Sequence, residues 1–146
     1  MMTERIIQLI LERRWEKAYF LIQKMSLERK WELLSTDLYD EDPRDIYLFM
    51  LYLISIDGNE AQWHYYCSSY LIFCHPFFDD SMRLASWHIK QAIKLNPKNN
   101  DYKKIVISIF YGYPEEYFTQ QDYYQFATDV LKENKDDPDA KEILMS

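Results

Sequence analysis

The chain has 146 residues and a net charge of −7; 48% of its residues are apolar or aromatic, and the aromatics alone make up 17% of it. A domain of this length buries roughly 68–70% of its unfolded surface, so it needs neither a disulfide nor a metal to fold. Two glycines, Gly58 and Gly112, are too few for hairpin turns or a glycine-rich phosphate cradle, and a pI near 4.9 argues against nucleic acid, which is bound through Lys and Arg.

An all-α chain follows, and its helices can be taken in order. Residues 3–13 and 15–25 form the first predicted hairpin. In its second arm Trp15, Ala18, Ile22 and Met25 recur at helical spacing, with Glu16, Lys17, Gln23 and Lys24 on the other faces. Residues 27–36 add a short helix before an acidic connection. Asp42-Pro43 is a start signal, because the carboxylate can accept from orphan amides and proline suits the first helical position. In the helix predicted over 43–56 the apolar residues Ile46, Leu48, Phe49, Met50, Leu51, Leu53, Ile54 and Ile56 surround the axis, which predicts a helix through the middle of the domain. The run from Ile46 to Ile56 is eleven residues between Asp45 and Asp57, well short of the ~20 that cross a bilayer.

Asp57-Gly58-Asn59 turns the chain into a partner helix over 60–75. Trp63, Cys67, Tyr70, Leu71 and Cys74 lie on its buried side, and His75-Pro76 ends it. The third pair spans 79–95 and 101–111. Ala85, Ile89 and Ala92 share one face of its first helix, while Leu84, Trp87, Gln91 and Leu95 lie opposite. This helix is therefore expected to be packed on two sides, with Trp87 buried. Gly112 suits a C-terminal cap, and after Pro114 the last helices run over 120–134 and 138–145.

The stretch Ala85 to Pro97, with Ala85, Ile89, Ala92 and the helix-ending Pro97, resembles the second helix of a tetratricopeptide (TPR) repeat. Looser likenesses lie in 9–25 and 136–144. The resemblance implies stacked antiparallel helical hairpins, about seven or eight helices wound as a TPR-like right-handed superhelix, in one domain over 1–146. A second resemblance runs through Trp63-His64, His88, Leu95-Asn96-Pro97, Phe110-Tyr111 and Pro114-Glu115. It is to small bacterial helical proteins, some of them presumed immunity proteins of polymorphic-toxin clusters, and it implies binding and inhibition of a toxin.

Candidate chemistry can be weighed by geometry. His64, Cys67, Cys74 and His75 are zinc-ligand types sharing one side of a helix, but His64 and Cys74 lie about 15 Å apart along the axis, against ligand distances of about 2.0–2.3 Å. His88 could join two of them from elsewhere, yet no metal and no cofactor is expected. Cys67 and Cys74 are about 10 Å apart along the same helix, too far for a disulfide, and are expected as reduced core residues. A Cys67 or Cys74 nucleophile would need a histidine base, and His75 points about 100° away from its neighbour Cys74. The paired carboxylates Asp79-Asp80, Glu115-Glu116 and Asp136-Asp137 suit helix starts and loops. No enzyme is expected.

Charge is unevenly distributed. Net charge is +2 over residues 1–36, −8 over 37–80, +5 over 81–112 and −6 over 113–146. The two acidic blocks mix tyrosines with carboxylates, in Tyr39, Asp40, Glu41 and Asp42 and in Tyr113, Glu115, Glu116 and Tyr117, with Tyr111, Phe118, Tyr123 and Tyr124 nearby. Aromatics mixed with carboxylates suit partner lysines and arginines. The expectation is a cytoplasmic, non-catalytic module that binds another, basic protein and neither nucleic acid nor a membrane. An immunity-type inhibitor leads, a TPR-like adaptor holding a peptide is the alternative, and a small Cys/His-dependent enzyme is the third reading.

Overall fold

Helix starts in this chain are set by short polar side chains that satisfy orphan amides. Ser26 Oγ accepts from the Arg29 amide, Asp42 from Arg44, Asn99 from Asp101, and Asp137 from Ala140. Thr119 and Asp122 form a reciprocal capping box, each side chain accepting from the other's amide at 3.0 Å. Proline follows the cap at Pro43 and Pro138, where its fixed φ already suits a helix.

The structure is a computed structural model, and it describes residues 2–76 and 80–146. These form nine α-helices and no strand: α1 (Met2–Leu11), α2 (Trp15–Ile22), α3 (Leu27–Glu32), α4 (Pro43–Ile56), α5 (Glu60–Ser69), α6 (Ser81–Leu95), α7 (Asn100–Ile105), α8 (Gln120–Glu133) and α9 (Pro138–Met145). Nine stand where the TPR resemblance implies about seven or eight; the short α3 and α9 are each started by a side-chain cap. The predicted start at residue 79 falls outside the described residues.

α3, α5 and α7 do not end as α-helices. Each continues for five residues as a wider π turn, Leu33–Asp37, Tyr70–Cys74 and Val106–Phe110. Each turn is closed by an amide five residues on: Leu38 to Leu33, His75 to Tyr70 and Tyr111 to Val106, at 2.9, 3.0 and 3.3 Å.

Neighbours in sequence are neighbours in space, with α1 on α2, α4 on α5, α5 on α6, α6 on α7, α7 on α8 and α8 on α9, while α1 also reaches α4. Connections of three or four residues join α4 to α5, α6 to α7 and α8 to α9, and so short a link makes each pair antiparallel. The buried apolar side chains form one continuous cluster from Ile6 to Ile143.

Ala85, Ile89 and Ala92 are fully buried, and Ser68 Oγ donates to the Ala85 carbonyl at 3.0 Å where α5 crosses this small-residue stripe. The opposite face corrects the expectation. Trp87 is 51% exposed and Leu95 47%, whereas Leu84 and Gln91 are half-buried, so the second face of α6 is only partly covered. The alanines let α5 approach closely there, while Trp87 and Leu95 on the other face reach solvent. The helix over 43–56 needs a smaller correction: Ile46, Tyr47, Phe49, Met50 and Leu53 are buried, whereas Leu48 and Ile56 reach solvent. α4 therefore lies against the core with one open edge.

Candidate functional site

Antiparallel pairing sorts the connections into two ends. The short links after α4, α6 and α8 lie at one end, so the longer connections 38–42 and 111–119, together with His75-Pro76 after the second π turn and Asp80 before α6, lie at the other. Both acidic, tyrosine-bearing segments are therefore at the same end of the array. A direct contact ties the first two connections together, since the Tyr39 ring stacks on His75 at 5.1 Å and 25°. Tyr117 lies within electrostatic reach of Arg83 in the first turn of α6, which brings the third connection alongside.

The eight predicted residues differ in how free they are. Asp40, Glu115 and Glu116 are exposed, Tyr39 is 50% exposed and Tyr113 37%, while Glu41, Asp42 and Tyr117 are half-buried. Asp42 is committed to the fold: it caps α4 and takes the Arg44 side chain at 3.1 Å, and the Arg44 hydrogen bonds hold its carboxyl below the usual range. The Tyr117 hydroxyl donates to Glu115 at 2.6 Å, which pushes the phenol up. Among the described residues no ion pair neutralises Asp40, Glu41 or Glu116. Phe118 and Tyr123 pack the core beneath, with the Tyr123 hydroxyl donating to the Phe110 carbonyl at 3.1 Å.

The zinc-ligand types do not assemble. Among the described residues no three of His, Cys, Asp and Glu are placed to hold a metal ion. His75 packs against Tyr39 and Tyr70, Cys67 is fully buried and Cys74 half-buried, and both thiols are free. Burial pushes both thiols up, the opposite of what a nucleophile needs.

Geometry brings His64 instead to His88, 24 residues away, with the two Nδ1 atoms 2.9 Å apart. His88 Nε2 meets the Tyr47 hydroxyl at 2.8 Å, and His64 Nε2 faces Glu60 at 3.9 Å. A neutral chain is self-consistent when Tyr47 donates to His88 Nε2, His88 Nδ1–H donates to His64 Nδ1, and His64 turns its Nε2–H toward the Glu60 carboxylate. Burial pushes His88 down to about 3, with the neighbouring imidazole adding to it, and burial lowers His64 although Glu60 opposes this. Tyr47 is raised by burial to about 12. This chain joins α4, α5 and α6 with neutral groups. No local motif announces it, because each histidine finds its partner only across a helix interface.

A second buried cluster forms at the opposite end. Asp57 accepts from Tyr19 Oη at 2.8 Å, Lys30 Nζ at 2.7 Å and Trp63 Nε1 at 2.8 Å. Burial alone would raise its carboxyl, and these donors outweigh burial and hold it low. Beside it lies a groove of about 590 Å³ between Leu27 and Glu28 of α3, Glu60 and Tyr66 of α5, and Leu95 and Tyr102 farther along the chain.

No helix among the described residues is long and apolar enough to cross a membrane. Neither a protein-family model, nor a curated protein, nor a solved structure matches the chain.

Proposed function

We propose that this chain is a non-catalytic protein-binding module of the immunity type, working in the cytoplasm, which covers a basic protein domain with its acidic, tyrosine-bearing end. The observation that supports the reading is the convergence of Tyr39, Asp40 and Glu41 with Tyr113, Glu115 and Glu116 at one end of the helical array. Three of those carboxylates are unpaired among the described residues, so they keep their field for a partner. Half-exposed tyrosines supply rigid, amphipathic contact area at low entropic cost, and the carboxylates would steer a cationic surface into register. On this reading the hairpins follow a TPR-like right-handed superhelix.

The test is capture from native cells with mass spectrometry, followed by association kinetics against the captured protein. The expected result is a tight one-to-one complex with a basic domain, whose on-rate falls steeply with salt and falls again in Asp40→Lys/Glu116→Lys. A salt-insensitive on-rate, or a partner bound equally by that variant, would refute it.

The groove beside Asp57 favours one alternative, an adaptor that holds a peptide segment. Its amides and carboxylates, Asn59, Glu60, Gln62, Asn96 and Asn99, would bind a peptide backbone. Loss of binding in Gln62→Ala with the acidic end unchanged would choose that reading.

A further inference from the structure

Within the basic segment 81–112, Lys103 and Lys104 pair with Asp129, Asp137 and Asp139, while the cations of α6, Arg83 beside Tyr117 among them, have no carboxylate partner among the described residues. Arg83, Trp87, Lys90 and Lys94 lie on the solvent face of α6, at offsets of −4, 0, +3 and +7 from the tryptophan, and all four are exposed. The stripe runs about 16 Å along the helix. Among the described residues none of its cations has a carboxylate within ion-pair distance. Lys90 instead lies over the Phe118 ring at 4.9 Å, which fixes its stem and leaves its charge uncompensated. A single-signed stripe in a protein of net charge −7 serves solubility poorly, since solubility is best met by interspersed charge.

Trp87 is the second observation. It is 51% exposed, and its ring is held edge-on against His88 at 4.9 Å and His64 at 5.4 Å. Those imidazoles are locked by the Tyr47–His88–His64 hydrogen bonds, so the indole is presented on a rigid base. A large aromatic fixed before binding, ringed by charges of one sign, is the anatomy of a binding hot spot.

We propose that the solvent face of α6 is a second docking surface, which takes an acidic, amphipathic protein segment: an apolar side chain seated on Trp87 and carboxylates paired with Arg83, Lys90 and Lys94. Charge complementarity selects the acidic partner, and the apolar component, extended by the 47% exposed Leu95, selects a protein over a nucleic acid.

Display of a random peptide library on the full chain tests the proposal, with binding of the selected peptides measured by fluorescence anisotropy. The expected peptides are enriched in Asp and Glu around at least one large apolar residue. Their affinity falls about tenfold or more in Trp87→Ala and again in Lys90→Glu/Lys94→Glu, and stays unchanged in Asp40→Lys/Glu116→Lys, which separates this surface from the acidic end. Because Trp87 packs on the histidines, thermal melts check its variant, while the two exposed lysines provide a test that spares the core. Selected peptides without acidic enrichment, or binding indifferent to the lysine reversals, would overturn the proposal. So would tighter binding of a labelled DNA duplex, which would assign the stripe to phosphates. Self-association that sedimentation velocity finds in the wild type and loses in Lys90→Glu/Lys94→Glu would instead assign it to a second copy, and would equally overturn it.

Discussion

Taking an imidazole out of water penalises its charged form most, and His88 has no exposed surface. Its folded value of about 3 lies below the 6.5 of the unfolded chain, so between those values the unfolded state binds the extra proton. Stability is therefore full above about pH 6.5 and falls as the solution is acidified. At pH 5 the loss from His88 is about 2 kcal/mol, with His64 acting in the same direction. Urea unfolding at pH 5, 6 and 7 should show this slope in the wild type and a flatter one in His88→Asn. Equal stability across that range would contradict a neutral buried pair. Asp57 acts in a lower window: its depressed carboxyl contributes above the unfolded value near 3.8 and loses that contribution as pH falls through the folded one. Its side chain is 1% exposed and that of Lys30 6%, so Asp57→Ala strands a buried ammonium at a cost of about 3–5 kcal/mol. Chemical denaturation at pH 7 measures that directly; a change under 1 kcal/mol would mean that water replaces the carboxylate.

Elements were readable in proportion to how local their determinants are. Asp42-Pro43, Asp57-Gly58-Asn59, His75-Pro76 and Gly112 each act within one turn of chain, and helix boundaries fall beside all of them. The π turns escaped detection because the register of the last amides depends on what the turn packs against, and Tyr70-Leu71-Ile72-Phe73-Cys74 looks like any apolar helix end. Which face of α6 is covered was half readable. The alanine stripe marks the buried face, since small residues permit close approach, while the apolar character of Trp87 and Leu95 suggests a core that does not reach them. Ala85→Leu should accordingly cost about 1–3 kcal/mol by overpacking against α5. A thermal melt unchanged by that substitution would mean that the α5–α6 seam is looser than its geometry.

Across the whole molecule one apolar cluster links Ile6 of α1 to Ile143 of α9, and a continuous core gives no plane along which part of the chain could melt alone. Far-UV circular dichroism and tryptophan fluorescence should therefore report coincident urea transitions, and separated midpoints would divide the array into independent units. Composition and short-range pattern by themselves determined that the chain is helical, where most helices start and stop, and that its acidic residues come in two blocks, because capping, helical periodicity and proline sterics act over a few residues. Only the tertiary structure decided that those blocks share one end, that His64 meets His88, and that Trp87 on the far face of α6 is left to solvent. Each of these depends on which helix lies beside which, and that is set by contacts between residues far apart in the chain.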